Sequence, residues 1–163
     1  MEKQCLFQKR IQKQSKMKHI GIDPGSNGGI AVLDDSGAVI FLRKMPETPQ
    51  DLIDTLRHFA DDSCCTLEKV GGMPGNGGMA MFNFGKGYGH LEMALLALKI
   101  PTETVTPQKW EKTYQLGTSR GVGKTEWKNR LKAKAQQLFP DQKLTLAVCD
   151  ALLIAEYGRR NRK

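Results

Sequence analysis

The chain has 163 residues, a formal net charge of +8 and 39% hydrophobic residues, which fits one domain of ordinary size with enough apolar material for a core. No apolar run reaches the ~18 residues of a membrane span and no secretory leader pattern opens the sequence, so no membrane partner is expected. Cys5, Cys64, Cys65 and Cys149 show no C-x-x-C spacing, and adjacent Cys64 and Cys65 are poorly placed to bridge each other. A reducing, cytoplasmic compartment is therefore expected rather than a disulfide scaffold or a zinc site.

Residues 1–16 are rich in Gln and Lys without a sustained apolar face and read as a disordered basic extension. The domain is expected over 17–160, with a basic tail at 161–163. Residues 18–23 and 28–34 read as paired strands joined by a tight Asp-Pro-Gly turn. A third strand is expected at 38–43, after the turn Asp34-Asp35-Ser36-Gly37. Pro49 to Ala60 places Leu52, Ile53, Leu56 and Phe59 at helical spacing, with Pro49 suited to a first turn. A fourth strand is expected at 65–70 and a glycine- and methionine-rich loop at 71–81. A helix at 83–99 carries Leu91, Ala94, Leu95 and Leu98 on one stripe. A short strand at 102–106, a short helix at 107–114 and helices at about 125–138 and 144–158 complete the chain. A three-strand meander followed by alternating helix and strand is an α/β pattern with a mixed five-stranded sheet.

Three acids stand in unusual surroundings. Asp23 ends an apolar strand just before a run of glycines, Glu68 lies in the fourth strand, and Asp150 sits in Leu146–Ala155, which is otherwise uncharged. Each has a plain structural reading: Asp23 could cap a turn, Glu68 could point to solvent, and Asp150 could be a buried group with a partner. Three carboxylates brought together from distant segments describe a site for Mg²⁺, with Mn²⁺ able to substitute; two ions sharing one carboxylate suit phosphodiester hydrolysis.

The positive charge is concentrated at 1–16, at 159–163 (including Arg159 and Arg160) and on the predicted helix bearing Lys124, Lys128, Arg130, Lys132 and Lys134. Peripheral basic patches around an acidic centre suit a polyanion such as DNA. In the loop preceding the 83–99 helix, Met73, Met79, Met81 and Phe82 either pack over the sheet edge or insert between bases at an opened junction. Gly85, Gly87 and Gly89 are costly inside a helix, at roughly 1 kcal/mol each, and call for a close approach by another helix or by DNA. Gly123-Lys124-Thr125 is not the end of a P-loop, because the glycine that the pattern requires is Thr118.

Gly21-Ile22-Asp23-Pro24-Gly25, Glu68-Lys69-Val70 with Met73-Pro74-Gly75, Phe82 to Gly89, Val105 to Trp110, Leu138-Phe139-Pro140 and Asp150 to Tyr157 occur in that order. Over about 18–160 the chain resembles the RuvC-like Holliday junction resolvases, particularly their smaller phage-type branch. The resemblance implies a ribonuclease H-like fold and a magnesium-dependent endodeoxyribonuclease that resolves four-way DNA junctions as a homodimer. It implies that Asp23, Glu68 and Asp150 hold the metal and that Lys128, with Lys124 as the alternative, acts on the scissile phosphate. It also implies DNA contacts from Met79, Phe82, Lys86, Lys109, Lys124, Arg130, Lys132, Lys134, Arg159 and Arg160, and a dimer contact through the 83–99 helix. The chain departs from many relatives at Ala147, where they carry a further acid one helical turn before Asp150. The other functions weighed are a nuclease for flaps or forks, a non-catalytic nucleic-acid-binding module, and an actin-like ATPase, which needs two such domains.

Overall fold

The computed structural model describes residues 17–71 and 77–162. The expectations for 1–16 and for Met73, Pro74 and Gly75 lie outside those residues. Five strands run β1 (Lys18–Asp23), β2 (Gly29–Leu33), β3 (Val39–Lys44), β4 (Ser63–Glu68) and β5 (Thr102–Val105). Helices are α1 (Pro49–His58), α2 (Gly78–Ala97), α3 (Pro107–Lys112), α4 (Lys124–Leu138) and α5 (Leu146–Asn161). The sheet order is β3-β2-β1-β4-β5, with β1–β2 and β2–β3 antiparallel and β1–β4 and β4–β5 parallel. The predicted α/β class and mixed five-stranded sheet are thus present.

Side-chain alternation along the strands divides the core in two. Ile20, Ile22, Ile30, Val32, Cys65 and Leu67 face one way, onto Leu52 and Leu56 of α1 and Leu91, Ala94 and Leu95 of α2. Ala31 and Leu33 face the other way, with Trp110 of α3, Leu131 and Ala135 of α4 and the length of α5. Helix α5 is the central element of that second layer: every residue from Val148 to Tyr157 is buried.

One glycine sets how closely that helix lies on the sheet. A Cβ at Gly21 would run into the Ala151 carbonyl oxygen and the backbone of Ala155, so β1 and α5 meet backbone to backbone. Buried polar groups in the layer are paired. Tyr114 donates from its hydroxyl to the Leu153 carbonyl at 2.5 Å. Glu156, 3% exposed, is held by Arg159 and Arg160 at 2.7 and 2.5 Å.

Several element boundaries shift from expectation, and two of the shifts bear on the site. Strand β4 spans Ser63–Glu68 instead of 65–70, so it pairs with all but the last residue of β1 and ends on Glu68 itself. Helix α2 begins at Gly78, five residues before the expected start, and its N-cap is Gly77. Met79, Met81 and Phe82 therefore ride on the first turns of a helix. A glycine N-cap lacks the side-chain oxygen that marks helix starts in sequence, which hides the boundary.

Replacing Gly21 with alanine should lower stability by about 1–3 kcal/mol, the usual cost of overpacking a tight core. Urea unfolding measures this; an unchanged midpoint would show that α5 can move off β1 freely.

Candidate active site

Asp23 and Glu68 are the final residues of adjacent parallel strands, and the register Ile22↔Leu67 continued by one residue sets them side by side. With Ile22 and Leu67 directed to the α1/α2 layer, alternation directs Asp23 and Glu68 to the α5 side. Asp150, on the second turn of α5 and 4% exposed, completes the group from above. The turn after Asp23 passes through Gly25 at φ 107°, a left-handed conformation that favours glycine, and the Phe84 ring of α2 packs against it.

Lys128 comes from α4. It shares the stripe of Leu131 and Ala135, which face the core, and its ammonium is ion-paired with the Asp150 carboxylate. Lys128 gives the buried Asp150 a counter-charge from within the chain. Lys124, one turn earlier, is exposed at the helix start.

The electrostatics are those of crowded acids. Burial, then the charges of Asp150 and Glu68, push the Asp23 carboxyl up to about 8 against the pull of Lys128. Burial also raises Glu68, opposed by a hydrogen bond from Trp110 and aided by the Asp150 charge; the Trp110 Nε1 donates to Glu68 Oε1 at 2.8 Å. Burial lowers the Lys128 ammonium, but the Asp150 charge and hydrogen bond outweigh it, and the net shift is upward. Burial and the charge of Asp150 push the neighbouring Cys149 thiol up to about 12, so it stays protonated.

A fourth acid, which the sequence did not single out, belongs to this neighbourhood. Glu111 on α3 accepts from Trp127 Nε1 at 3.1 Å. Burial raises its carboxyl, the Asp150 charge raises it further, and Lys128 lowers it.

Among the described residues no three His, Cys, Asp or Glu side chains close on one point as a ready metal cage. The donor set nevertheless fits a hard divalent cation in kind. It offers carboxylate oxygens in a charge-deficient cluster, and the one sulfur beside it is a protonated thiol. His19, the histidine on this sheet face, is engaged elsewhere, with Asp35 at 3.0 Å. Asp23 and Glu68 are half-buried, and the acids line neither of two cavities, of about 660 and 790 Å³, beside the sheet.

The remaining predicted residues are spread over the surface. Met79 and Phe82 are exposed on α2, as is Lys86. Lys109 lies 3.9 Å from Glu103, and Arg130 pairs with Glu126 at 2.5 Å. Lys132 and Lys134 are half-buried on α4, with Lys134 donating to Gln137 at 3.2 Å. Arg159 and Arg160 are held on Glu156, a role in the fold that their sequence position did not reveal.

No protein-family model and no curated protein matches the sequence. Solved structures do match. The chain is similar to T. thermophilus RuvC in complex with a Holliday junction substrate, with a TM-score of 0.61 and 13% identity over 86% of this chain and 92% of that one. It is similar also to Thermus thermophilus RuvC determined separately, with a TM-score of 0.58 and 15% identity over the same shares. What is shared at these identities is the architecture: the chain has the ribonuclease H-like fold of RuvC.

The crowding predicts a pH dependence. A carboxyl raised from 3.8 to about 8 in the fold gives a contribution to stability that is full below the lower value and lost as pH rises through the upper one. In EDTA, the melting temperature should therefore fall between pH 5 and 8, and fall less in Asp23→Asn, which cannot ionise there. Equal pH slopes for the two proteins would contradict the assignment.

Proposed function

We propose that the chain is a divalent-metal-dependent endodeoxyribonuclease that resolves four-way DNA junctions by paired phosphodiester hydrolysis. The observation that carries this reading is the meeting of Asp23, Glu68 and Asp150, with Lys128, at the strand ends of a RuvC fold. The solved relative is RuvC in complex with a Holliday junction substrate, which supports branched DNA as the substrate class.

Mg²⁺ or Mn²⁺, as two ions in the proposed arrangement, supplies charge neutralisation and an activated water when bound. Asp23, Glu68 and Asp150 would hold the metal through their carboxylate oxygens. Lys128, whose side chain is 35% exposed, is the group that meets the scissile phosphate and stabilises charge developing there. Lys86, Lys109, Lys124, Arg130, Lys132 and Lys134 are proposed to hold the DNA backbone, together with Arg159 and Arg160 where their pairing with Glu156 leaves them accessible. Phe84 packs on Gly25, which places the first turns of α2 at the active-site end of the sheet. Met79 and Phe82 there are proposed to stack against opened bases.

The same helix supports a homodimer. At 100° per residue, Gly85, Gly89, Met93 and Leu96 fall in one sector of about 80°, opposite the buried Leu91, Ala94 and Leu95. Met93 and Leu96 are 62% and 71% exposed, and a Cβ on Gly85 or Gly89 would meet nothing within 4 Å. A glycine-notched apolar stripe of this length suits a second copy of the helix, and a two-fold dimer suits two symmetric cuts.

Asp23→Asn, Glu68→Gln and Asp150→Asn should each abolish junction cleavage in Mg²⁺ while binding in EDTA stays within a few-fold of wild type. Lys128→Ala should slow cleavage at saturating enzyme by about 10²-fold or more, as expected for loss of transition-state charge stabilisation. Near-normal turnover in any of the acid variants would remove that residue from the site, and a rate defect confined to Lys124→Ala would move the catalytic lysine one turn.

Leu96→Glu should convert a dimer to a monomer in light scattering. A wild-type chain that is monomeric at micromolar concentration would refute the α2 interface.

A further inference from the structure

Two hydrogen bonds of the same kind tie the site to its surroundings. The indole of Trp110 donates to Glu68 at 2.8 Å, and the indole of Trp127 donates to Glu111 at 3.1 Å. These are the only two tryptophans of the chain, and each is adjacent in sequence to a charged residue of the site: Trp110 precedes Glu111, and Trp127 precedes Lys128. Helices α3 and α4 are thereby cross-linked at the point where Lys128 reaches Asp150.

Glu111 is held there by a neutral donor. Glu156, by contrast, is buried on the same helix layer with two guanidiniums against it. Within the cluster, Asp23, Glu68, Glu111 and Asp150 all act on or feel Lys128, the cation that they have in common. An acid retained in such a place without a guanidinium of its own, and oriented by an indole N–H, is poised to answer a cation from outside.

Building on the metal-dependent reading above, we propose that Glu111 is a fourth acidic group of the site. It strengthens retention of the divalent cation, with Trp127 as the residue that positions it.

The test is Mn²⁺ binding by the full chain, followed by the paramagnetic resonance of free Mn²⁺. Glu111→Gln removes the charge while its amide oxygen still accepts from Trp127, and it should weaken Mn²⁺ binding by about tenfold or more, the range seen when outer partners of metal sites are changed. Trp127→Phe should weaken it by less, and Glu103→Gln, an exposed acid, should leave it unchanged. The melting temperature of Glu111→Gln in EDTA should be no lower than that of wild type, because one charge of the crowded group is gone. A lower metal-free melting temperature with Mn²⁺ affinity within twofold of wild type would make Glu111 purely structural and overturn the inference. If Asp23→Asn abolishes Mn²⁺ binding and Glu111→Gln leaves it untouched, the inference falls while the proposed function stands. A wild-type chain that binds no Mn²⁺ overturns both.

Discussion

The site depends on the seating of α5 on β1 without a side chain between them. Gly21 allows the backbone of Ala151 and Ala155 to lie directly on the central strand, and Asp150 is carried on that same stretch of helix. Asp23 is two residues beyond Gly21, on the same strand face, and Glu68 ends the parallel neighbour. The three acids converge because a strand end, its neighbour's end and one helix turn are fixed relative to each other by backbone packing. Tight interiors transmit such constraints well: a displaced α5 would move Asp150 away from both strands and from Lys128 together.

That convergence works against stability. Acids gathered in a half-buried cluster repel one another and lose hydration, and the upward shifts of Asp23, Glu68 and Glu111 express that cost. The chain treats its other buried acid differently, surrounding Glu156 with Arg159 and Arg160. The contrast separates a carboxylate that serves the fold from carboxylates kept short of positive charge. Perturbed acids of the second kind are characteristic of functional sites.

Much of this was legible in the sequence. The apolar run of β1 and the break at Asp-Pro-Gly locate the strand and the acid at its end. Asp150 is conspicuous because its neighbours are uncharged, whereas the role expected of Lys128 came from the resemblance to RuvC-like resolvases. The start of α2 was hidden because its cap is a glycine, with no side-chain oxygen to mark it. Glu111 was hidden because Lys109 and Lys112 flank it on a six-residue helix, where it passes for an ordinary surface charge. Its contact with Trp127 arises from tertiary packing of α3 against α4. The available signal was the pair of tryptophans, each next to a charged residue, since a buried indole N–H needs an acceptor. Arg159 and Arg160 look like part of a basic tail until the burial of Glu156 is known.

The central claim is that this RuvC fold cuts branched DNA at the acid cluster in a metal-dependent way. The most direct measurement places end-labelled duplex, fork and four-way junction side by side with the purified chain, in Mg²⁺ and in EDTA. The account predicts paired, symmetric cuts in the four-way junction, little cutting of duplex, and none of either in EDTA. Equal cutting of duplex and junction, or cutting that persists in EDTA, would contradict it.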